Sequence, residues 1–556
     1  MGIRFLVLCA SIAISFEIIG QTADDRIIDQ LLQKHGLPAI SLAVVSGDSI
    51  SYHAARGVKS LESREPVDAL TLFSAASLSK PLFAYIVMRL VEAGRLDLDR
   101  PVFTYATYED VLHDPRHKKV TARMLLSHSA GLPNWRDGDL AFLREPGTRF
   151  QYSGEGYVWL MRVVEQITGR SLNELAEDLA FKPLGMTHSS FVWRSDFDNY
   201  ALPHDQWDEV GPKRMIEEGN SAYSLQTTAR DFAQLLIALF AHRGLGAATI
   251  AEIGRPQVEV QSFFGGEPIP AASGMAYWGL GWGIQQTSQA KALWQWGDNG
   301  PFKAYVVAYP AQEKGLVFFV NHHNGLRLVS ELVQHFLGEK SPAFALLNYG
   351  MEDPPALRLG KAALRSGFDQ AVVPYLAPGR PGLDTALFSA ADLSDLVVQL
   401  WSRGRPEDVD KLLQAATATY PQAAQLWQQA AYFYLAQGRP RAAQPCYMRA
   451  RSLAPERFPL ENLLLPWRNR VEEANVHLQL EGYEGARLVM LAGSFNDWSP
   501  QTIPMIRSKA GWVGAFYLPP GRYGYRFVVD GEWILDPDNE AIIEDGGYTN
   551  SLLVVE

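Results

Sequence analysis

The sequence predicts an α+β domain, then a helical repeat region, then a small all-β sandwich. Three observations carry this. Gly-bounded apolar strand patterns stand at both ends of residues 21–344, with helical patterns between them. In the Ala- and Leu-rich sequence of 345–468, Gly404 recurs as Gly438 and Pro421 as Pro455, a step of 34 residues. From 472 to 556, short apolar runs alternate with Gly and Pro turns and show no helical period. The chain of 556 residues exceeds one ordinary domain. Its 47% hydrophobic and 20% charged content suits domains with real cores. A formal net charge of −11, with no run of Lys and Arg, excludes a nucleic-acid surface.

In the N-terminal stretch, Arg4 precedes an apolar run from Phe5 to Phe16, and Gly20 stands before polar sequence. This reads as a secretory signal peptide over 1–20, cut after Gly20, and it implies a secreted or periplasmic protein. Glu17 is unusual so near a cut, but the run is too short for an uncleaved anchor. No later segment is long enough to span a membrane. Of the two cysteines, Cys9 leaves with the signal and Cys446 is then alone. The mature protein is expected to be stable through its core, without a disulfide.

Next, "LPAISLAVVSGDSISYHAARG" reads as two strands turning at Gly47-Asp48. "KPLFAYIVMRLVEAGRL" reads as a buried helix ended at Gly94, and "GYVWLMRVVEQITGRSLNELAEDLAFKPLG" as two helices. "WGLGWGIQ", "AYVVAYP" and "GLVFFVN" read as strands. Just before the buried helix lies "SAASLSKPLF", with three serines, one lysine and no histidine. A serine hydroxyl is a poor nucleophile until a base sits beside it. On a helix, side chains three apart share a face, and only Ser77 stands three residues before Lys80. A lysine near a helix N-terminus faces a partial positive charge. Burial there would also lower its pKa and make it a usable base.

In the helical region, Trp427, Ala430, Ala431, Tyr434, Ala443, Tyr447, Ala450 and Pro455 resemble a tetratricopeptide unit. Leu393, Leu396, Val397, Leu400, Val409, Leu413, Ala416 and Pro421 match in the unit before it. The resemblance implies a protein-partner groove; a packed helical spacer is the other reading. The C-terminal runs "VHLQLEG", "RLVMLAGSF", "WVGAFYL", "YGYRFVVDG" and "NSLLVV" make an immunoglobulin-like β-sandwich.

Downstream of Ser77 come "PGTRFQYSGEGYVWLMRVVEQITG" and "LWQWGDNGPFKAYV". With Ser77-Leu-Ser-Lys80 these resemble the three boxes of the serine β-lactamase and penicillin-binding-protein superfamily. The likeness is to its class C and carboxylesterase branch, whose second box begins with tyrosine. It implies a β-lactamase/transpeptidase-like hydrolase fold over 21–344. It also implies that Ser77 forms an acyl-enzyme while Lys80 and Tyr152 share the proton work. Tyr152 is then expected to act as base, its phenol lowered by a neighbouring Lys⁺. The oxyanion is expected on the N–H of Ser77 and a third-box N–H, that of Asp298.

Two departures stand out. The second box reads Tyr152-Ser153-Gly154, without the usual asparagine, and the third reads Gln295-Trp296-Gly297, without a cation. Gln295 can donate hydrogen bonds but cannot neutralise a carboxylate. Asp298, Asn299 or Lys303 is expected to compensate if anything does. Trp296 is expected to pack on the acyl or alcohol part of a substrate. His128 reads as a hydrogen-bonded structural residue. His322-His323 reads as a strand end, without carboxylate or Cys partners at metal spacing. No metal, nucleotide or other cofactor is implied.

Finally, "LAGSFNDWSP", "GRYGYRFVVDGEW" and "GGYTNSLLVV" resemble the glycogen-binding modules of AMP-activated protein kinase β subunits and of glucan-branching enzymes. The resemblance makes Trp498 and Trp533 stacking platforms for glucose rings. It puts Arg526 in the place of a sugar-contacting lysine and Asn550 in that of a sugar-binding asparagine. The alternative is that both tryptophans are packing residues.

Together these readings describe a secreted acyl-serine hydrolase acting on small neutral acyl esters, with an α-glucan-binding module. A D-amino-acid peptidase or weak β-lactamase is the alternative within the family. A non-catalytic carbohydrate- or protein-binding scaffold is the alternative of another class.

Overall fold

The computed structural model describes residues 22–555 except 137, 264–273, 288–289, 373–387, 438, 455–474, 484, 487–488, 497, 499, 501–502, 509–510, 517, 519 and 546–547. The expected signal at 1–20, Gly438 and Pro455 therefore lie outside the described residues. Two units emerge: Met1–Asn134 with Ala141–Tyr349, and Trp135–Leu140 with Gly350–Glu556.

The first unit is built on an eight-stranded sheet in the order β2-β1-β10-β9-β8-β7-β6-β5. The strands are β1 Ala39–Ser46, β2 Ser49–Gly57, β5 Val258–Glu259, β6 Ala276–Trp278, β7 Gly283–Gln286, β8 Lys291–Asp298, β9 Lys303–Tyr309 and β10 Lys314–Val320. A separate short pair joins β3 Phe73–Ser74 to β4 Gln226–Thr227. Every pairing in the large sheet is antiparallel. The N-terminal hairpin thus pairs with the last strand of the unit, and the helices lie between them in sequence, as the strand patterns predict.

Strand β1 is buried from Ala39 to Val45 because both faces of the sheet are covered. Ile40, Leu42 and Val44 share a core with Ile28, Leu31 and Leu32 of helix α1 (Ala23–His35) and with Leu332 and Val333 of the helix Val329–Leu337. On the other face, the Ser41 hydroxyl accepts from the N–H of Ala229, at the start of the helix Ala229–Phe240. Phe344, in the short helix Pro342–Ala345, joins the same core. Helix α2, Ser79–Glu92, is buried from Ser79 through Met88, as a helix apolar all round must be.

In the second unit, the helices Ala390–Ser402 and Pro406–Thr419 form one hairpin, and Ala424–Ala436 with Pro440–Leu453 form the next. Pro406 and Pro440 open their helices, where a missing N–H costs nothing. Leu393, Leu396, Val397, Leu400, Val409 and Leu413 are buried in the first hairpin; Ala430, Ala431, Ala443 and Tyr447 are buried in the second. Cys446 is a free, buried thiol.

The C-terminal strands are β11 Val476–Leu480, β12 Val489–Gly493, β13 Ile503–Pro504, β14 Ile506–Ser508, β15 Gly511–Phe516, β16 Gly521–Val529, β17 Glu532–Ile534, β18 Ile542–Asp545 and β19 Tyr548–Val555. One sheet runs β11-β15-β14; the other runs β13-β12-β16-β19-β18, with β17 on β16. Tyr525 and Phe527 of β16 point into the core with Leu478, Leu480, Val489, Leu491 and Trp512. By alternation, Gly524, Arg526 and Val528 face outward. Among the described residues, no helix is long and apolar enough to cross a membrane.

Candidate active site

The three serines of the "SAASLSK" segment separate cleanly. Ser74 accepts from the Asn299 side chain at 3.1 Å. Ser79 donates to the Ala76 carbonyl at 2.7 Å and accepts from the N–H of Leu225 at 3.0 Å, so it ties the start of α2 to the chain beside it. Between Thr71 and Met88, Ser77 alone is not buried. It sits in a tight turn, Ala76–Leu78, just before α2, and Ala76 is held at a left-handed φ of 46°. A non-glycine residue there is strained, and such strain collects where a side chain must be presented.

Lys80 is 1% exposed, and its Nζ lies 3.0 Å from the Ser77 hydroxyl and 2.9 Å from the Ala222 carbonyl. Burial pushes its ammonium down to about 7. Its Nζ also lies 4.9 Å from the centroid of the Tyr152 ring and 5.5 Å from that of Tyr157. The usual second-box asparagine, whose amide would help position substrate or Lys80, is replaced by Gly154 in the first turn of α4 (Gly154–Thr168). The carbonyl of Ala222 accepts from Lys80. It lies 142 residues away in sequence, and no local pattern announces it.

Tyr152 is buried in the aromatic core with Trp278, Trp294 and Trp296. Its hydroxyl is hydrogen-bonded with Ser77 and accepts from the Gln295 amide at 2.9 Å. The expectation of a lowered phenol is corrected here. Burial raises the Tyr152 pKa, and the hydrogen bonds to Ser77 and Gln295 oppose it without overcoming it; the Asp298 carboxylate raises it further. Of this pair, Lys80 is the group that titrates near neutrality.

The third-box residues also depart from their expected roles. Gln295 is fully buried and donates to Tyr152 and to the Trp296 carbonyl, so it serves the tyrosine rather than a substrate. Trp296 is not an open platform: it is buried, with ring centroids 4.9 Å from Tyr152 and 5.6 Å from Trp294. Lys303 is not a free cation. It is buried and paired with Asp298, and burial lowers its pKa. A Cβ on Gly297 would meet the Ala75 carbonyl at 2.7 Å and the Ala76 Cβ at 3.2 Å. Only glycine lets β8 run this close to the turn that carries Ser77.

Of the histidines, His128 is buried and contacts Tyr152 (ring centroids 4.3 Å apart). His322 is buried, and its Nε2 lies 3.0 Å from Asp208, a carboxylate partner that its spacing did not reveal. Among the described residues, no group of His, Cys, Asp or Glu could hold a metal ion.

In the sandwich, the predicted residues gather on the outer face of the β13-β12-β16-β19-β18 sheet. A Cβ on Gly524 would meet Cζ2 and Cη2 of Trp498 at 3.2 and 3.3 Å, so the absence of a side chain at 524 lets the Trp498 ring lie on the sheet. Trp533 pairs across from Val528, on the same face, and is 39% exposed. Arg526 donates through Nε to the Asn550 side chain at 2.9 Å. Asn550 differs from its expected role: it is buried, its oxygen accepts from Arg526, and its amide donates to the Tyr548 carbonyl at 2.9 Å. Its work here is to fix the arginine. Tyr548, to which the resemblance assigns no role, is 60% exposed, with the Arg526 guanidinium 6.0 Å from its ring centroid.

Comparison with known proteins finds matches over both regions. The Beta-lactamase family model matches residues 25–332. The model of the glycogen recognition site of AMP-activated protein kinase matches residues 476–556. Esterase EstB of Burkholderia gladioli is 29% identical over 287 residues, covering 42% of this chain and 73% of the esterase. Protein flp of Staphylococcus aureus is 24% identical over 200 residues, covering 33% of this chain and 39% of flp, so the chain spans well under half of that relative. Among solved structures, a class C beta-lactamase aligns with a TM-score of 0.49 at 21% identity, covering 57% of this chain and 94% of that one. The octameric penicillin-binding protein homologue from Pyrococcus abyssi aligns with a TM-score of 0.49 at 21% identity, covering 57% and 77%.

Proposed function

The chain belongs to the Beta-lactamase family and is a serine hydrolase, and from that premise we propose that it cleaves small neutral acyl esters through an acyl-enzyme on Ser77. The observation that carries this reading is the chain of contacts Lys80–Ser77–Tyr152–Gln295. With its pKa near 7, Lys80 can present a neutral amine at neutral pH. One N–H then stays on the Ala222 carbonyl, and the lone pair takes the Ser77 proton as the oxygen attacks the acyl carbon. Tyr152, a neutral phenol, gives its proton to the departing alkoxide, and Lys80-H⁺ restores it. In deacylation the same pair removes a proton from water and returns it to Ser77. The Gln295 amide, donating to the Tyr152 oxygen, steadies the phenolate as it forms. The oxyanion is assigned to the N–H of Ser77 and that of Asp298 on β8, which the close approach at Gly297 supports.

The electrostatics favour a neutral substrate. The third-box position holds a buried amide, and the nearby Lys303 is already paired with Asp298. A substrate carboxylate would lose water, gain no free cation there, and meet the half-exposed Asp298. An uncharged ester escapes that cost and carries a better leaving group than an amide. The similarity to Esterase EstB points the same way. The test is kcat/KM on p-nitrophenyl butyrate against a chromogenic cephalosporin and a D-Ala-D-Ala peptide, with Ser77→Ala as the blank. Faster turnover of either carboxylate-bearing substrate refutes the ester reading.

For the C-terminal module, the proposal is α-glucan binding on the outer sheet face, with Trp498 and Trp533 as stacking surfaces and Arg526 as the polar contact. The exposure of Trp533 and the match to a glycogen recognition site support it. The polypeptide is proposed to be exported through residues 1–20.

A further inference from the structure

One residue between the helix Ala122–Leu126 and α4 holds the N–H groups of both residues that flank Tyr152. The His128 carbonyl accepts from the N–H of Gln151 at 2.7 Å. The His128 Nδ1 accepts from the N–H of Ser153 at 3.0 Å. Its ring also lies against the phenol ring, with centroids 4.3 Å apart and planes at 32°. Tyr157, Trp278 and Phe150 close the remaining sides, with centroids at 5.1, 5.2 and 5.8 Å.

This arrangement has costs that packing alone does not explain. Since Nδ1 accepts, the ring proton sits on Nε2, which is buried without a partner. The backbone of His128 is held at a left-handed φ of 55°. A phenylalanine would fill the same aromatic box with no orphaned N–H. What it could not do is accept from Ser153. The ring must also stay neutral, because protonation at Nδ1 would remove that acceptor. Burial, and the nearby charge of Lys80, hold the imidazole well below its usual range. The titratable groups facing the ring are Lys80, Tyr152 and Tyr157.

We propose that His128 is a positioning residue for catalysis: it clips the backbone N–H groups of Gln151 and Ser153, the neighbours of Tyr152, and so fixes the phenol against Ser77. The proposal rests on Tyr152 being a proton-transfer group. Small displacements of such a group are expensive, with losses of about 100-fold for a shift of ~1 Å.

Two variants separate the clip from simple packing. His128→Phe keeps the ring and removes the acceptor. His128→Asn loses the ring but keeps an acceptor oxygen near the place of Nδ1, and asparagine tolerates the left-handed backbone well. On p-nitrophenyl butyrate, His128→Phe is expected to lower kcat by about 10- to 100-fold with KM within about threefold, and His128→Asn to stay within about fivefold of wild type. In a Tyr152→Phe background, His128→Phe is expected to cost less than about twofold more, because its effect runs through the missing hydroxyl. If the acceptor-bearing variant loses as much as the phenylalanine one, or if the loss is fully additive on Tyr152→Phe, the proposal is overturned. Near-native turnover by Tyr152→Phe alone is a different failure: it removes the reading of Tyr152, and the clip with it.

Discussion

The titration of Lys80 makes the sharpest demand on the mechanism. Its Nζ is fully buried, its two hydrogen-bond partners are the neutral oxygens of Ser77 and Ala222, and no carboxylate pairs with it in the described contacts. Desolvation therefore acts almost unopposed and brings the ammonium from 10.5 down to about 7. As base, Lys80 must be neutral, so kcat/KM should rise with pH through about 7 and level off above it. Below that point a single ionisation costs a factor of ~10 per pH unit, hence about 100-fold at pH 5. The neighbours cannot mimic this limb, since burial holds His128 well below the window and Tyr152 and Tyr157 above it. The assay is kcat/KM for p-nitrophenyl butyrate from pH 5 to 9, on wild type and on Tyr152→Phe. The variant should keep the acid limb at the same pH while losing about 10²–10⁴ in rate. A rate still climbing at pH 9 would make the tyrosine the base. A profile flat down to pH 5 would put a carboxylate in that role.

Much of this site was legible because it is written in local chemistry. The three-residue step from Ser77 to Lys80 needs only helix geometry, and the pair meets at 3.0 Å. The apolar run before the Gly47-Asp48 turn likewise announced β1 and β2. What stayed hidden was set by burial and by long-range contacts. Sequence places Lys80 and Tyr152 in neighbouring boxes, but does not show that both are sealed from water; sealing lowers the amine and raises the phenol, the opposite of the shift expected for Tyr152. The carbonyl of Ala222 accepts from Lys80 across 142 residues, and nothing about residue 222 marks it. Trp296 illustrates the limit of residue type. A large flat side chain next to a nucleophile's strand suits a substrate or a core equally, and packing with Tyr152 and Trp294 decides for the core. In the sandwich, the shared face of Trp533 and Arg526 follows from alternation and register. The capture of Asn550 by Arg526 does not, because both are polar groups that would serve a sugar as readily as each other.

Two further predictions follow from the same physics. The full-length protein should bind a linear maltooligosaccharide with a change in tryptophan fluorescence that Trp533→Ala abolishes; a response unaltered in Trp533→Ala would return that side chain to packing. The last prediction concerns stability. A lysine whose pKa falls from 10.5 to about 7 on folding costs the fold up to about 5 kcal/mol, taking ~1.4 kcal/mol per pH unit. The sign follows from proton counting. Between those two pH values the unfolded chain binds the extra proton, so this cost is complete below about 7 and fades as pH rises towards 10.5. Lys80→Met removes it, but leaves the Ala222 carbonyl without its partner, while the Ser77 hydroxyl keeps Tyr152, a loss of about 1–3 kcal/mol. The inactive variant should thus be more stable than wild type by about 2–4 kcal/mol at pH 6, and by clearly less at pH 9. Denaturant unfolding followed by tryptophan fluorescence at the two pH values measures it. A variant that is less stable at pH 6, or a gain that does not shrink by pH 9, would mean that Lys80 is not carrying the cost of its burial, and the case for it as a neutral base at neutral pH would fall with that result.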